Sequence, residues 1–286
     1  MGRVTSRVRA TRFDASAPVP RLDRIETVAV EEPLQVRVEH GPSGERRRDD
    51  VAVTMRTPGD DFDLALGHLV TEGLLLDPTA VATMMHCTDL GPDGAPTFNV
   101  VDVTLRDGLS LDVRPRQRPE IMTSACGVCG KDEISAIAAA SPYVVRTDRV
   151  QVDPAVMAGL PDAVRARQKG FERTGGMHAA AIATADGEIL AVREDVGRHN
   201  AADKVIGWAA REGRLPLTGH VLVVSARASF ELVQKAVMAG LPLLVAVSAP
   251  TSLAVELAEE EGLTLVAFTR SPRCTVYSHA DRVLNG

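Results

Sequence analysis

Two thiols stand a C-x-x-C step apart at Cys126 and Cys129, inside Thr123-Ser124-Ala125-Cys126-Gly127-Val128-Cys129-Gly130-Lys131. Residues 132–140 are rich in helix formers, so the pair is expected on a loop that enters a helix N-terminus. There the unpaired backbone N–H groups and the positive end of the helix dipole favour an anion. Lys131 adds a full charge, and a thiolate is the anion at hand; such surroundings lower a thiol pKa and raise the nucleophilic fraction. Four chemistries use this spacing. Structural zinc needs two more ligands, and the only further sulfur donors are Cys87 and Cys274; in His86-Cys87 neighbouring side chains point apart on a strand. A dithiol oxidoreductase carries its pair after the first strand of a small α/β domain, a layout not evident here. An iron–sulfur cluster wants four cysteines in closer groups. The fourth reading is a thiolate that accepts a sulfur atom as a persulfide, holds it and passes it on.

A second set of residues could hold an anionic ligand. Three turns follow expected strands and carry arginine: Arg198 and His199 in residues 194–200, Arg227 and Ser229 in residues 225–231, and Phe268-Thr269-Arg270-Ser271-Pro272-Arg273. In an open α/β sheet, ligands gather outside the carboxyl ends of strands and at helix N-termini. Arginine–phosphate hydrogen bonds contribute roughly 1.5–3 kcal/mol each, so converging turns would hold a pyrophosphate. Taken singly, each arginine is more readily a solvated or surface-paired side chain; three at the same end of a sheet shift the balance towards a binding site. His178, in Thr174-Gly175-Gly176-Met177-His178-Ala179-Ala180, is near the pattern of zinc deaminases, which also carry a cysteine pair. Ala180 stands where their proton-shuttling glutamate would be, and the cysteine pair precedes the histidine; without that acid/base, deamination fails. His178 is then a pocket-lining or a hydrogen-bonded structural histidine.

The elements that must position these residues differ between the two halves. Alternating apolar residues predict strands at 27–30, 34–38 and 51–55, with a polar turn at 40–50. Residues 57–61 read as a turn and N-cap opening a helix over 62–76, whose apolar face is Leu64, Leu66, Leu69 and Val70. His68 and Glu72 stand at i, i+4 on it and are expected to be a solvated pair. Strands at 81–85 and 98–105 follow, with Met84 and Met85 as core fillers and residues 114–119 as a basic linker. The second half reads strand 178–183, turn at Asp186-Gly187, strand 189–192, helix 200–212, strand 221–224, helix 231–239, strand 243–247, helix 253–261 and strand 263–268. The β-α-β-α-β alternation predicts parallel strands in a layered α/β domain. A helix over 153–168, interrupted at Pro161, is expected to bridge the halves. The expected organisation is a disordered basic arm at 1–20, a β-rich α+β domain at 21–120, the cysteine loop and its helix at 121–141, and an α/β cofactor-binding domain at 142–286.

Composition narrows the classes. A hydrophobic content of 45% with 3% aromatics implies a core of Val, Leu, Ala and Ile, and a net charge of −6 argues against non-specific nucleic-acid binding. No apolar run approaches the ~20 residues that span a bilayer. Arginine-rich residues 1–12 lack the apolar stretch of a secretory signal. A cytoplasmic protein with reduced thiols is expected.

Read together, Cys126-Gly127-Val128-Cys129-Gly130-Lys131, the Thr174–Ala180 segment, Arg193-Glu194-Asp195-Val196-Gly197-Arg198-His199-Asn200 and Arg227-Ala228-Ser229-Phe230-Glu231-Leu232-Val233-Gln234-Lys235 resemble the formate dehydrogenase accessory sulfurtransferases, the FdhD family. Met55-Arg56-Thr57-Pro58-Gly59-Asp60-Asp61 and Val247-Ser248-Ala249-Pro250 also match, so the likeness covers about residues 21 to 280. It implies a cytidine-deaminase-like three-layer α/β/α C-terminal domain with a smaller β-rich N-terminal domain, in a homodimer. It implies a carrier that takes persulfide sulfur from a cysteine desulfurase and gives it to the bis-molybdopterin guanine dinucleotide molybdenum cofactor of formate dehydrogenase. A molybdenum-cofactor chaperone that moves no sulfur is the alternative. By the resemblance Cys126 carries the persulfide and Cys129 assists. Residues 268–273 are the cofactor-binding stretch, Arg227, Ser229, Arg198, His199 and His178 complete the site, and a guanine nucleotide mimics the ligand. No metal ligand set, nucleic acid or membrane is implied. Ser225-Ala226-Arg227 departs from the family pattern in having alanine where glycine is expected.

Overall fold

A computed structural model describes residues 3–16, 21–87, 97–111 and 141–284. Cys126 and Cys129, the helix expected after them, the basic linker at 114–119 and the loop at 91–96 lie outside the described residues. The described strands and helices run β1 (Thr5–Phe13), β2 (Arg21–Ala29), β3 (Glu32–His40), β4 (Arg47–Arg56), α1 (Asp61–Thr71), β5 (Val81–His86), β6 (Val100–Leu105), α2 (Pro154–Arg165), α3 (Lys169–Thr174), β7 (His178–Thr184), β8 (Ile189–Asp195), α4 (Arg198–Arg211), β9 (His220–Val224), α5 (Phe230–Met238), β10 (Leu243–Ala246), α6 (Ser252–Glu261), β11 (Thr264–Arg270) and β12 (Arg273–Val276). This is the mixed α/β architecture expected, β-rich first and layered α/β after.

The larger sheet has the order β12-β11-β10-β9-β7-β8. Strands β9, β10 and β11 are parallel, as the alternation with helices requires, while β7, β8 and β12 pair antiparallel at the flanks. The period of two in strand side chains divides the core cleanly. Ala180, Ile182, Leu222, Val224, Leu244, Ala246 and Leu265 pack with α4, α5 and α6. Ala179, Ala181, Val221, Val223, Leu243, Val245 and Val266 face α2 on the other side. Helix α2 does not bridge the halves: its Met157, Leu160 and Val164 lie on this sheet. It also runs on through Pro161, because one lost backbone hydrogen bond is outweighed by burying that apolar face.

The smaller sheet, β4-β3-β6-β5, is covered on one face by α1 through Leu64, Leu66, Leu69 and Val70. Helix α1 stops at Thr71, short of the expected residue 76, because Gly73 turns left-handed at φ 69° and the Gly73 and Leu74 N–H groups close back on Val70 and Leu69. The two sheets are joined where α1 crosses α4. A Cβ on Gly67 would fall on the Asp203 carbonyl, and one on Gly207 on the Asp63 carbonyl, so glycine at both places lets the backbones touch.

Three further expectations are corrected. The arm over 1–20 is not disordered throughout: Thr5–Phe13 is β1, paired with β2 along nine residues in antiparallel register. Its Thr, Val and Phe favour a strand, and arginines are tolerated on an exposed hairpin. His68 and Glu72 are not a solvated pair; His68 is buried against Asp203 (Nδ1 to Oδ2, 3.8 Å) and Glu72 bonds Lys235 (3.0 Å). Met84 packs on the core, but Met85 points outward on the open face of the smaller sheet and is exposed.

Candidate functional site

Strand register places the three arginine-bearing turns at one edge. His178 opposes Asp195, Ala180 opposes Val224, and Ala246 lies beside Val224. The start of β7 and the carboxyl ends of β8, β9, β10 and β11 therefore share one end of the larger sheet. The turns are knitted by backbone hydrogen bonds: Ser248 N–H to the Ala226 carbonyl (3.3 Å), Ala228 N–H to Ala249 (3.1 Å) and Phe268 N–H to Ser248 (3.1 Å). Small residues make this possible, since Ala226 and Ala228 are buried within the weave.

Each predicted ligand-holding residue can be placed on this edge. Arg198 and His199 open α4, and Ser229 is the N-cap residue of α5. His199 Nε2 is 3.5 Å from Ser229 Oγ and 3.7 Å from Glu231 Oε2. Ser225 Oγ accepts the Ala179 N–H (2.9 Å) and lies 3.4 Å from His178 Nδ1. Arg227 is exposed. Strand β11 extends past the expected end at 268, so the stretch 268–273 is a tight reversal between two strands rather than an open loop. Arg270 and Arg273 are cross-strand partners in it. Arg270, Ser271, Pro272 and Arg273 are exposed, as is Phe268, which takes φ 48°. Thr269 alone points inward.

The electrostatics favour an anion. Burial pushes the His199 imidazole down to about 4, helped by the charges of Arg198 and Lys235 against Glu231. Burial and Arg198 likewise lower His178, opposed by Asp195. Both rings are thus neutral donors and acceptors at neutral pH, and the positive charge comes from Arg198, Arg227, Arg270 and Arg273. Two buried polar atoms here, Arg198 Nε and Thr269 Oγ1, have no hydrogen-bond partner among the described residues. Buried polar groups are rarely left so; each is a group a ligand could satisfy. The set fits a phosphate-bearing ligand in its donors and its charge.

The sequence reading missed the support beneath the site. Asp195, fully buried, accepts from Gly197 N–H (2.8 Å) and Asn200 Nδ2 (3.3 Å) on one oxygen, and from Thr57 N–H (3.1 Å) and Lys204 Nζ (2.8 Å) on the other. The only signal for it was that the Met55–Asp61 and Arg193–Asn200 motifs occur in the same chain; nothing in either says they meet. Cys87 and Cys274 are free thiols, and burial raises the Cys274 pKa. Among the described residues no cluster of His, Cys, Asp and Glu could hold a metal ion, and no helix is long and apolar enough to cross a membrane.

Residues 29–284 match the model of the FdhD/NarQ family. "Sulfur carrier protein FdhD" of Mycolicibacterium paratuberculosis is 51% identical over 280 residues, 98% of this chain and 99% of the relative. The protein of the same name from Streptomyces coelicolor is 49% identical over 284 residues, 99% and 97% of the two chains. In fold, the chain is similar to the crystal structure of a candidate formate dehydrogenase accessory protein from Desulfotalea psychrophila, with a TM-score of 0.72, 20% identity and 99% and 100% coverage. With a family match over most of its length and relatives about half identical from end to end, the chain belongs to the FdhD/NarQ family.

Proposed function

We propose that this protein is a sulfur carrier that serves formate dehydrogenase, with Cys126 as the carrier thiol and the arginine-bearing sheet edge as the seat of the sulfur acceptor. The observation that carries the reading is the gathering of Arg198, Arg227, Arg270 and Arg273 at one edge, with Arg198 Nε and Thr269 Oγ1 buried and unpartnered among the described residues. Two arginines directly opposite each other repel, an arrangement an anionic ligand relieves. The substrate proposed is the bis-molybdopterin guanine dinucleotide molybdenum cofactor, its phosphates on the arginines and the helix N-termini of α4 and α5, with His178, His199, Ser229 and the 268–273 turn lining it.

In this reading the Cys126 thiolate attacks the outer sulfur of a persulfide on a cysteine desulfurase. The donor leaves as a thiol and Cys126 becomes the persulfide. With the cofactor seated, the Cys129 thiolate attacks Cys126 Sγ and expels the outer sulfur as sulfide to the cofactor's metal. The two thiols are oxidised to a disulfide as that sulfur is reduced, and a cellular dithiol resets them. The work is done in the cytoplasm, on a homodimer. Val8, Phe13, Leu22, Ile25 and Val28, exposed on the β1–β2 hairpin, offer apolar surface for such pairing; sedimentation of an Ile25→Asp variant checks it, a monomer being expected.

The deciding experiment is intact-mass measurement after incubation with a cysteine desulfurase and cysteine. A gain of one sulfur atom is expected, absent in Cys126→Ala, together with loss of formate dehydrogenase activation by that variant. A Cys126→Ala protein that still activates the enzyme would establish the alternative, a cofactor chaperone that moves no sulfur.

A further inference from the structure

We propose that Asp195 is a positioning residue: through it the Thr57 turn of the smaller sheet fixes the Arg198–His199 turn at the edge of the larger one. The inference rests on the reading of that edge as the acceptor site, and concerns how the site is held rather than what it holds.

One carboxylate joins the two halves. Oδ1 serves the site turn, through the Gly197 N–H and the Asn200 side chain, and Oδ2 serves Thr57 N–H and the Lys204 ammonium. Lys204, on α4, is itself buried and donates to the Thr57 carbonyl (2.8 Å). Two more bonds repeat the link. The Thr57 hydroxyl accepts the Val196 N–H (3.2 Å), and Asn200 Nδ2 donates to the Met55 carbonyl (2.8 Å). Every residue from 195 to 197, and Asn200 after them, is thus tied to Thr57, to Met55 or to Asp195 itself. Arg198 and His199 sit between these anchors, and among the described residues no hydrogen bond made by the Arg198 Nε fixes that side chain. Their placement is set by backbone held from the other sheet. A buried carboxylate with its acceptor sites filled by N–H donors and an ammonium is stiff in a way an exposed turn is not.

Asp195→Asn paired with Lys204→Met is the discriminating variant, since it removes the carboxylate and its ammonium together and strands neither charge. Thr57→Val tests the parallel link, removing the hydroxyl acceptor for Val196 N–H while keeping the backbone N–H that Asp195 binds. Thr57→Ser restores the hydroxyl. The measurements are guanosine diphosphate affinity by calorimetry and the imidazole resonances of His199 by NMR, on full-length protein whose cooperative unfolding shows it is folded. Thr57→Val is expected to weaken the nucleotide by about tenfold and to shift the His199 resonances, with Thr57→Ser returning both towards wild type. Asp195→Asn paired with Lys204→Met, which removes both buried charges together, is expected to act in the same direction. Resonances of His199 unmoved in the double variant overturn the proposal, whatever Thr57→Val does. If wild-type protein fails to bind guanosine diphosphate, the nucleotide reading of the edge is what fails, and the His199 resonances alone then decide whether Asp195 positions the turn.

Discussion

Lys235 Nζ lies 2.9 Å from Asp203 Oδ1 in the joint between the sheets, with both side chains 1% exposed. Lys235 comes from α5 and Asp203 from α4; Thr71 and Glu72, at the end of α1, complete the cluster at 3.0 Å each from the ammonium. The Thr71 hydroxyl also donates to Asp203 (2.7 Å). Burial works against both charges, yet each is held charged by the other: the lysine pKa is raised by Asp203 and Glu72, and the Asp203 pKa is lowered by Lys235 and His68. Helix packing brings three helices together here, and the cluster fixes their rotation.

Truncating one partner of such a pair strands the other. Lys235→Met is expected to cost about 3–5 kcal/mol, because it leaves Asp203 buried without its counter-ion. Adding Asp203→Asn should return part of that loss, since the stranded charge goes with it and neighbours in one network are not additive. Urea unfolding of the two variants and the wild type measures the difference. A double variant no better than Lys235→Met would mean the ion pair is not what the cost reflects.

The pH dependence follows from His199. The unfolded ring takes up its proton near pH 6.5, whereas the folded one, buried beside Arg198 and Lys235, does so only at about 4. Between these values the unfolded chain binds the proton and the native one does not, so stability is full above pH 6.5 and falls as pH drops towards 4. The loss for this one group is at most about 3 kcal/mol. Glu231 adds to it at the acid end: burial raises its pKa, but its own backbone N–H, the Ser229 hydroxyl and the charges of His199 and Arg198 together lower it. Its contribution is present above the ordinary carboxylate range and is lost as pH falls through the folded value. His199→Gln is therefore expected to flatten the upper part of the curve, measured by urea unfolding at several pH values. A variant with the same slope as wild type between pH 6.5 and 5 would show that another group titrates there.

What could be read from the chain without coordinates followed from periodicity. Val221–Val224, Leu243–Ala246 and Leu265-Val266-Ala267-Phe268 are unbroken apolar runs that follow or alternate with amphipathic helices, and their strands became the parallel centre of the larger sheet. The arginine turns were legible for the same reason, since the carboxyl ends of such strands fall at one edge. What was not legible depends on contacts distant in sequence. Nothing local distinguishes a His68–Glu72 pair facing water from one facing Asp203 and Lys235, because the helix pattern is satisfied either way. Thr5–Phe13 reads as a charged tail until Arg21–Ala29 is available as its partner. Met85 alternates correctly for a strand, but only the absence of a layer over that face, among the described residues, leaves it exposed. Asp195 looked like part of a ligand turn and proved to be beneath it.

The crossing of α1 and α4 makes a sharper demand. Gly67 and Gly207 each lie against a carbonyl of the opposite helix, at Asp203 and Asp63. An alanine at either place would gain helix propensity of up to about 1 kcal/mol, but its methyl group has nowhere to go, since both obstructions are backbone. Overpacking of this kind costs about 1–3 kcal/mol or more, and the helices also carry Asp63 with its ion pairs to Arg193 (2.9 Å) and Arg211 (2.5 Å). Gly67→Ala and Gly207→Ala are each expected to be net destabilising, with lowered thermal midpoints. A neutral or stabilised Gly207→Ala would show that the helices can separate without cost.

Arg270 and Arg273 offer the cleanest separation of binding from stability. They are exposed, oppose each other across the Ser271–Pro272 reversal, and have no acidic residue within ion-pair distance among the described residues. Replacing either by alanine removes like-charge repulsion and no packing, so stability should change by no more than about 0.5 kcal/mol. If the turn grips a phosphate, affinity for guanosine diphosphate should fall by about tenfold or more in each variant. The dependence of binding on salt should weaken as well, because fewer charges meet the ligand. Calorimetry at two ionic strengths reads both effects. Unchanged affinity with unchanged stability in both variants would place the phosphates elsewhere on the edge, and Arg198 and Arg227 would be the next residues to replace.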